Sequence, residues 1–317
     1  MSSILVTGAN GFVGKALCAE LSRKGYSVRA VVRAKVTLKE NTEVVSVQEI
    51  DGITDWSATL SNVDTIIHLA ARVHIMDDNA TNPLMEFRKV NVEGALNLAE
   101  QAAKAGVRRF IFISSIKVNG ERTETGRPFT ENDAPNPQDA YGISKLEAEQ
   151  GLLKIAQQTD MEVVIIRPPL VYGAGVKANF ANMMQIVARG IPLPLGAIYN
   201  KRSFVYLENL VNLILHCIAH PAAANQVFLV SDGHDLSTTE LLRKCALALG
   251  TKPMLIPIPQ KLIEVSASLL GKKMVAQRLC GNLQVDISKA KTLLGWVPPA
   301  SVEDGLKATV LGLVQGQ

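Results

Sequence analysis

The fold of this chain is decided by the stretch Ile4-Leu5-Val6-Thr7-Gly8-Ala9-Asn10-Gly11-Phe12-Val13-Gly14. An apolar run leads into three glycines at three-residue spacing, and a helical pattern continues to Lys24. Glycines in such a turn allow a sharp bend, a close approach to a pyrophosphate, and tight packing of helix on strand. The unpaired N–H groups at the start of the helix face the phosphates. The stretch therefore predicts a dinucleotide site that includes Gly8, Asn10, Gly11, Phe12, Val13 and Gly14.

The first half of the chain alternates strand and helix patterns. Its strand candidates are nearly continuous apolar runs, as is typical of strands covered on both faces of a parallel sheet. They cover residues 4–6, 27–32, 44–47, 65–69, 109–114 and 163–167. Six such strands predict an α/β fold, a Rossmann doubly wound parallel sheet.

The pattern changes after Pro168-Pro169 to loops, several helices and short strands such as residues 227–230. We therefore expect two units. Residues 1–168 would form the Rossmann domain, with segments from about 201–235 returning to it. Residues 169–317 would mainly form a smaller, mixed substrate lobe.

Tyr141 and Lys145 lie four residues apart in a predicted helix that Asp139 caps and that runs to about Gln158. At this spacing both side chains project from one face, so the ammonium favours the phenolate of a phenol whose ordinary pKa is about 10. The Gly- and Pro-rich stretch before them predicts a long loop at the carboxyl edge of the sheet, where binding residues tend to lie. Beside a dinucleotide, the pair indicates a hydride-transfer enzyme that exchanges a proton with a sugar hydroxyl.

The composition excludes some classes of protein. The 317 residues are 47% hydrophobic, enough for a large core, and their net charge of +4 does not indicate a nucleic-acid surface. The charge is compatible with an anionic small substrate. We find no secretory signal and no apolar run of the ~20 residues that a membrane span needs. We therefore expect a cytoplasmic protein without a membrane span.

Cysteine and histidine spacing gives no sign of a metal site. His216 and His220 have helical spacing, but Pro221 follows directly and no metalloprotease acid lies between them, so a helix C-terminus explains them better. The cysteines lie far apart and predict buried reduced thiols at Cys18, Cys217, Cys245 and Cys280.

The chain resembles the extended short-chain dehydrogenase/reductases, in the NAD-dependent epimerase/dehydratase branch that acts on nucleotide sugars. The resemblance covers almost the whole length and rests on the order and spacing of the glycine stretch, His68-Leu69-Ala70-Ala71, Asn91-Val92-Glu93-Gly94, Ser114-Ser115, Tyr141 with Lys145, Arg167-Pro168, Tyr172-Gly173, Arg202-Ser203-Phe204-Val205 and Leu294-Gly295-Trp296-Val297-Pro298. It implies a bilobal fold with the sugar nucleotide in the cleft. It also implies cofactor contacts from Leu69, Ala70, Ala71, Asn91, Ser114, Tyr141, Lys145 and Pro168.

The resemblance implies a catalytic triad of Ser115, Tyr141 and Lys145. Ser115 would hydrogen-bond the reacting oxygen, Tyr141 would exchange the proton, and Lys145 would bind the nicotinamide ribose. Ser114 competes with Ser115 for the serine role. We prefer to place Ser114 at the strand end facing the cofactor.

Two departures from the family pattern narrow the chemistry. Family members that dehydrate sugars carry an acidic pair after the active-site serine or threonine, where this chain has Ile116 and Lys117. We therefore expect oxidation, reduction or epimerisation, most simply at C4 of the sugar.

Related NAD-selective enzymes end the second strand with an acid, but here Val31-Val32-Arg33-Ala34-Lys35 has none. We expect Arg33 to pair with the 2′-phosphate of NADP(H), the preferred cofactor, with NAD(H) and a surface role for Arg33 as alternatives.

The segments 114–120 and 127–129 look more specifically like bacterial surface-polysaccharide enzymes described as UDP-glucose 4-epimerases or UDP-4-keto-6-deoxy-N-acetylhexosamine reductases. The first expectation is therefore an NADP(H)-dependent 4-reductase of a UDP-sugar for lipopolysaccharide or O-antigen. Its alternatives are a UDP-glucose or UDP-N-acetylglucosamine 4-epimerase with bound NAD, and a non-catalytic nucleotide-sensing regulator. Members of the family often form homodimers, and we expect one here.

The expected substrate contacts are Ser115, Ile116, Lys117, Asn179, Phe180 and Arg202. Leu170 stands where related enzymes usually carry Asn.

Overall fold

A computed structural model describes residues 2–33, 42–73, 82–176 and 178–315 of the chain. Its main sheet has seven parallel strands in the order β3-β2-β1-β4-β5-β6-β9. These strands are β1 (Ser3–Thr7), β2 (Ser27–Val32), β3 (Thr42–Ser46), β4 (Thr65–His68), β5 (Arg109–Ile113), β6 (Glu162–Arg167) and β9 (Gln226–Leu229). A second, two-stranded parallel sheet pairs β7 (Leu170–Tyr172) with β8 (Phe204–Tyr206).

All six strands that were predicted from apolar runs are present, and the doubly wound Rossmann fold is confirmed. The strands β4 and β5 are buried throughout, as their continuous apolar sequence indicates. The strand β3 differs, because it lies at the sheet edge and is largely exposed. Strand order reverses between β1 and β4, and ligands of such sheets bind in the crevice at that switch point.

Helices cover both faces of the main sheet, and their apolar sides form separate cores with it. In the first half they are α1 (Phe12–Arg23), α2 (Pro83–Arg88), α3 (Gly94–Lys104) and α4 (Ala140–Gln158). A π-helical turn, Lys89–Glu93, joins α2 to α3, and a 3-10 turn, Ile116–Val118, follows β5. Asp139 caps α4 as predicted, because its carboxylate accepts a hydrogen bond from the N–H of Gly142 at 2.7 Å.

The second half of the chain adds one strand to the main sheet and also forms the smaller lobe. Its helices are α5 (Ala178–Ala188), α6 (Leu207–Ala219), α7 (Thr238–Ala248), α8 (Gln260–Leu269), α9 (Lys273–Cys280), α10 (Ser288–Leu294) and α11 (Val302–Gln315), with a 3-10 turn at Pro221–Ala223. The helix α6 packs against α1, and β9 adds the seventh strand beside β6. A small separate core that includes Val187, Ile198 and Leu242 lies in the lobe. The domain boundary at residue 168 and a homodimer stay predictions.

Within the ranges that the structure describes, no helix combines the length and apolarity that a bilayer crossing requires.

Candidate active site

A cleft of about 610 Å³ opens where the sheet order reverses. Ten of the predicted cofactor residues line it together: Gly8, Asn10, Gly11, Phe12, Val13, Gly14, Arg33, Leu69, Ala70 and Ala71. The glycine loop after β1 forms one wall and the loop after β4 forms another. The sequence therefore located the cleft and about half of its lining, ten of 21 residues.

Two glycines of the loop have no room for a side chain. Gly8 has φ of +66°, and a Cβ there would lie 2.8 Å from the N atom of Ala70. At Gly14 a Cβ would lie 2.2 Å from the carbonyl oxygen of Gly8, so only glycine lets α1 pack this close to the loop. Both observations match the roles that the glycine spacing predicted.

The far end of the cleft contains residues that the sequence analysis missed. Gln48, Glu49 and Ile50 follow β3, and Lys89 faces them from the π-helical turn. Lys89 Nζ lies 2.7 Å from Glu49 Oε2. The available signal was a polar and acidic pair directly after the third strand. Arg33 is exposed at the rim of this end.

The three predicted catalytic residues lie together beside the cleft. Ser115 hydrogen-bonds the hydroxyl of Tyr141, and its Oγ also accepts from the N–H of Lys117 at 3.2 Å. Lys145 is buried and donates from Nζ to the carbonyl oxygen of Ile113 at 2.9 Å. Its Nζ lies 6.0 Å from the ring centroid of Tyr141 and 4.4 Å from that of Phe112. The end of β5 and the first turns of α4 thus hold one constellation.

Burial is the largest influence on the pKa values of Tyr141 and Lys145. It raises the pKa of Tyr141 to about 12, with a further rise from the Asp139 carboxylate that the Ser115 hydrogen bond partly opposes. Burial lowers the pKa of Lys145 to about 7, against the opposing charge of Glu149. The protein groups by themselves favour a neutral phenol. The expectation that Lys145 would hold Tyr141 as a phenolate near neutral pH is therefore not met by these groups alone.

Asn91 is buried and holds parts of the site together. Its Oδ1 accepts from the N–H of Arg72 at 2.8 Å, and its Nδ2 donates to the carbonyl oxygen of Arg72 and to Ser144 Oγ. These bonds tie the loop after β4 to α4 and occupy both N–H groups of the amide. Asn91 therefore supports the cleft wall, where the resemblance implied a direct cofactor contact.

The residues around Ser115 have different surroundings. Ser114 Oγ is buried and has no hydrogen-bond partner among the described residues, which leaves it able to bond a bound molecule. Pro168 accepts from the N–H of Ile116 at 3.0 Å through its carbonyl oxygen. The side chain of Ile116 belongs to the hydrophobic core. Ile116 and Pro168 thus fix the turn after Ser115, and the expected substrate contact from Ile116 stays a prediction.

Lys117 is held by two carboxylates. It forms ion pairs with Asp139 and, at 3.0 Å, with Glu121. Burial lowers the pKa of Lys117, but the hydrogen bonds and charges of Asp139 and Glu121 outweigh it, so that the pKa lies above its ordinary value. Lys117 therefore neutralises the carboxylate that caps the catalytic helix, which the sequence analysis did not foresee.

Arg202 lies between two chain segments of the lobe. Its backbone pairs with Leu236 and Leu283, and its Nη1 donates to the carbonyl oxygen of Gly281 at 3.0 Å. Burial and the nearby positive charge of Arg278 lower the pKa of Arg202, against the charge of Glu121. A second guanidinium, near enough for its charge to lower the pKa of Arg202, suits an anion such as a diphosphate. The sequence analysis identified Arg202 and missed Arg278, which is 76 residues further along the chain.

The other predicted substrate residues are less clearly placed. Phe180 is buried and stacks on Tyr172, with ring centroids 5.5 Å apart, so its ring belongs to the core, and the expected substrate contact stays a prediction. The side chain of Asn179 lies outside the described residues. A second cleft, of about 970 Å³, adjoins this region and is lined by the loop 119–138 and by Lys273 and Gln277 of α9.

The described residues contain no group of three or more His, Cys, Asp and Glu side chains that could hold a metal ion. His216 Nδ1 lies 2.9 Å from the carbonyl oxygen of Asn212, and His220 follows the last residue of α6. The cysteines are buried free thiols, as predicted, and burial raises the pKa of Cys18, Cys217, Cys245 and Cys280.

Comparison with known proteins gives the family. Residues 4–231 match the model of the "NAD dependent epimerase/dehydratase family". A UDP-glucose 4-epimerase of Vibrio cholerae is 50% identical over 99% of this chain and 96% of its own length. Among solved structures, the UDP-glucose 4-epimerase of Thermotoga maritima with UDP-glucose has a TM-score of 0.79 at 25% identity and covers 99% of both chains. A UDP-glucuronic acid 4-epimerase of Bacillus cereus in complex with NAD also reaches 0.79 over 99% of both chains, at 22% identity, which shows the shared fold.

These matches agree with the glycine loop, the Ser115, Tyr141 and Lys145 constellation and the parallel sheet on which both are built. The chain therefore belongs to the NAD dependent epimerase/dehydratase family, and it is an enzyme of the extended short-chain dehydrogenase/reductase class that its sequence resembles.

Proposed function

We propose that this protein is a UDP-hexose 4-epimerase that uses bound NAD. The observation that carries the proposal is the 50% identity to a UDP-glucose 4-epimerase over 99% of the chain. It favours the epimerase alternative over the reductase that the sequence analysis put first. The residues of the site support the same chemistry, as the following contacts indicate.

The cleft fits a dinucleotide. Gly11 caps α1 without a side-chain hydrogen bond, and the first turn of α1 carries no acid, so the N–H groups of the helix are open to a phosphate. Gly8 and Gly14 place no side chain at two crowded points of the adjoining loop. The residues that would hold the cofactor are therefore those that line the cleft after β1 and β4, with Lys145 and Ser114 at its inner end.

Bound NAD would supply the redox chemistry, by accepting a hydride from C4 of the sugar and returning it to the opposite face. Tyr141 would take the proton of the C4 hydroxyl on its phenol oxygen and later give it back. Ser115 already hydrogen-bonds that phenol, so its hydroxyl is placed to bond the same sugar oxygen. The ammonium of Lys145 would stabilise negative charge on Tyr141 from its buried position beneath the pair.

The substrate diphosphate would bind at the guanidinium groups of Arg202 and Arg278. The Glu121 carboxylate opposes the effect of the Arg278 charge on the pKa of Arg202. Arg202 is additionally fixed by its bond to the carbonyl oxygen of Gly281. A fixed guanidinium binds phosphate oxygens in a defined orientation.

The proposed cofactor preference rests on Glu49 and Arg33, which both lie at the far end of the cleft. The NADP expectation rested on a missing acid after β2, but Glu49 supplies an acid from the next strand end within the same cleft. Glu49 forms an ion pair with Lys89 through Oε2. Because its side chain is also exposed, its carboxylate can be reached by a ribose hydroxyl. This supports NAD, and Arg33 keeps NADP as the alternative.

Purified protein should be given UDP-glucose or UDP-N-acetylglucosamine with no added cofactor, and the sugar nucleotides should be separated by chromatography. We expect the corresponding galacto epimers to form, and NAD to be released when the protein is denatured. Tyr141→Phe is the matched control, because it keeps the aromatic ring and should retain NAD while epimer formation falls by roughly 10²–10⁴-fold.

Two outcomes would overturn the proposal. Stoichiometric NADPH consumption with a UDP-4-keto-6-deoxy-N-acetylhexosamine, and no epimer interconversion, would establish the reductase. Dinucleotide binding without turnover of any of these substrates would establish a sensing regulator.

A further inference from the structure

The helices α8 and α9 form a hairpin, residues 260–280, that packs on the lobe core through Ile263, Leu279 and Cys280. The helix α8 contains no buried residue. It packs mainly on α9, which buries only Ala276 and Cys280. The hairpin therefore presents a free outer face, although its sequence is rich in apolar residues.

That outer face carries large apolar side chains in close succession. Leu269 is 84% exposed and Leu270 is 73% exposed at the turn between the helices. More than half of each further side chain is exposed at Leu262, Val265, Met274 and Val275. Single exposed apolar residues are common on proteins, but six within the fourteen residues 262–275 of one hairpin indicate an interaction surface.

The hairpin is also basic. It contains four basic residues, Lys261, Lys272, Lys273 and Arg278, and one acid, Glu264, which gives a net charge of +3. The net charge of the whole chain is +4, so most of its excess charge lies in this segment. Two lysines directly follow the apolar turn. Leucines with flanking lysines are typical of segments that lie in the headgroup region of an anionic membrane.

We propose that the hairpin 260–280 docks on the surface of a membrane that contains anionic phospholipids. Leu269 and Leu270 enter the boundary of the acyl chains, and Lys261 and Lys272 lie among the phosphates. The exposed Lys261 and Lys272 argue against a second copy of this chain as the occupant, because two copies of this basic segment would bring like charges together. The proposal does not depend on which sugar nucleotide the enzyme uses.

The hairpin is continuous with the second cleft. Met274 and Val275 are exposed on α9, while Lys273 and Gln277 of the same helix line that cleft. Docking of the hairpin therefore brings the cleft to the membrane surface. An enzyme bound in this way would exchange substrate and product next to membrane-bound proteins.

The full chain should be mixed with phosphatidylcholine vesicles that contain or lack phosphatidylglycerol, and bound protein measured by flotation. We expect binding to the anionic vesicles that falls steeply with added salt. The double substitution Leu269→Glu/Leu270→Glu should weaken binding by at least about tenfold, since it removes two apolar side chains from the interface. Lys261→Glu/Lys272→Glu should weaken it similarly on anionic vesicles.

The matched control is Ile53→Glu/Leu311→Glu, which makes the same charge change at two exposed apolar residues outside the hairpin, 91% and 62% exposed. It should bind vesicles like the unmodified protein, apart from a small general effect of charge. All variants replace exposed side chains, so their thermal unfolding midpoints should be unchanged. The proposal is refuted if the full chain does not bind anionic vesicles. It is also refuted if light scattering finds a dimer that Leu269→Glu/Leu270→Glu dissociates while vesicle binding is absent.

Discussion

Arg167 and Glu149 form a buried ion pair beneath the active site, with Arg167 Nε 2.9 Å from Glu149 Oε1. Arg167 ends β6, and Glu149 lies one helical turn beyond Lys145 on α4. Arg167 Nη1 also donates to Asn119 Oδ1 at 3.0 Å, directly after the turn that begins at Ser115. One guanidinium group therefore joins the strand, the helix of Tyr141 and the turn of Ser115.

Arg167→Met should destabilise the protein by about 3–5 kcal/mol, because it leaves Glu149 buried and unpaired. The double variant Arg167→Met/Glu149→Leu should recover part of this loss, since neither charge then remains in the core. Urea unfolding of the two single variants and the double variant measures the coupling. A double variant as unstable as the sum of the single variants would contradict a direct pair.

Ser115→Ala should lower kcat by about 10–100-fold, the range that corresponds to one hydrogen bond to a charged group. Its hydroxyl contacts Tyr141, whereas Ser114 Oγ has no partner among the described residues. Ser114→Ala should therefore be the milder change in kcat. Steady-state kinetics and the NAD content of each purified variant separate catalysis from cofactor binding. If Ser114→Ala lowers kcat more, the two serines have been assigned the wrong way round.

Lys117→Met should shift the acid limb of the kcat/KM profile to higher pH. Lys117 neutralises Asp139, and the charge of Asp139 raises the pKa of Tyr141. Without Lys117 the pKa of Tyr141 rises further, so a higher pH is needed to produce the phenolate that accepts the proton. We expect a shift of roughly 0.5–1 pH unit. Lys117→Arg keeps the positive charge and should show the original profile.

The sequence predicted the strands and the catalytic constellation because both depend on local patterns. The strands β4 and β5 are buried on both faces and read as continuous apolar runs. Gly8 is required locally by its positive φ, and Gly14 by contacts with Gly8 and Ala9 of its own loop. Lys145 follows Tyr141 by one helical turn, which fixes their common face. Such features need no knowledge of distant parts of the chain.

The remaining features depend on contacts between distant segments. Arg278 acts on Arg202 through its charge because the lobe brings α9 near the segment before β8. Neither local sequence indicates that these two residues are neighbours. Phe180 stacks on Tyr172, and Ile116 enters the core, although their positions in the family pattern suggested substrate contacts. The pKa of Tyr141 also departed from expectation, since burial outweighs the nearby ammonium.

Arg33→Ala should leave NAD binding unchanged within about twofold, because an exposed arginine at the rim has no unique partner on NAD. Binding of NADP should weaken by about 1.5–3 kcal/mol, since the arginine can pair with its 2′-phosphate. Titration of protein freed of bound dinucleotide measures both affinities. An equal loss for both cofactors would place Arg33 on a part of the dinucleotide that they share.

His68 is fully buried at the end of β4 and has one hydrogen-bonding contact, between Nδ1 and Thr7 Oγ1 at 2.9 Å. Its Nε2 has no partner among the described residues. A protonated ring would carry a second N–H that nothing accepts. Burial, together with the charge of Lys145, accordingly lowers the pKa of His68 to about 3.

Because the pKa of His68 is lowered, the free energy of unfolding depends on pH. The unfolded chain takes up a proton at His68 near pH 6.5, while the folded protein resists it down to about pH 3, so stability is lost as the pH falls through that window. Between about pH 7 and pH 5, His68 should account for a loss of about 2 kcal/mol in the free energy of unfolding. His68→Asn removes the titrating group, so its unfolding free energy should fall by about 2 kcal/mol less over the same interval, whatever its stability at pH 7. Urea unfolding of both proteins at the two pH values measures the difference, and equal losses would mean that His68 is already protonated in the folded protein at pH 5.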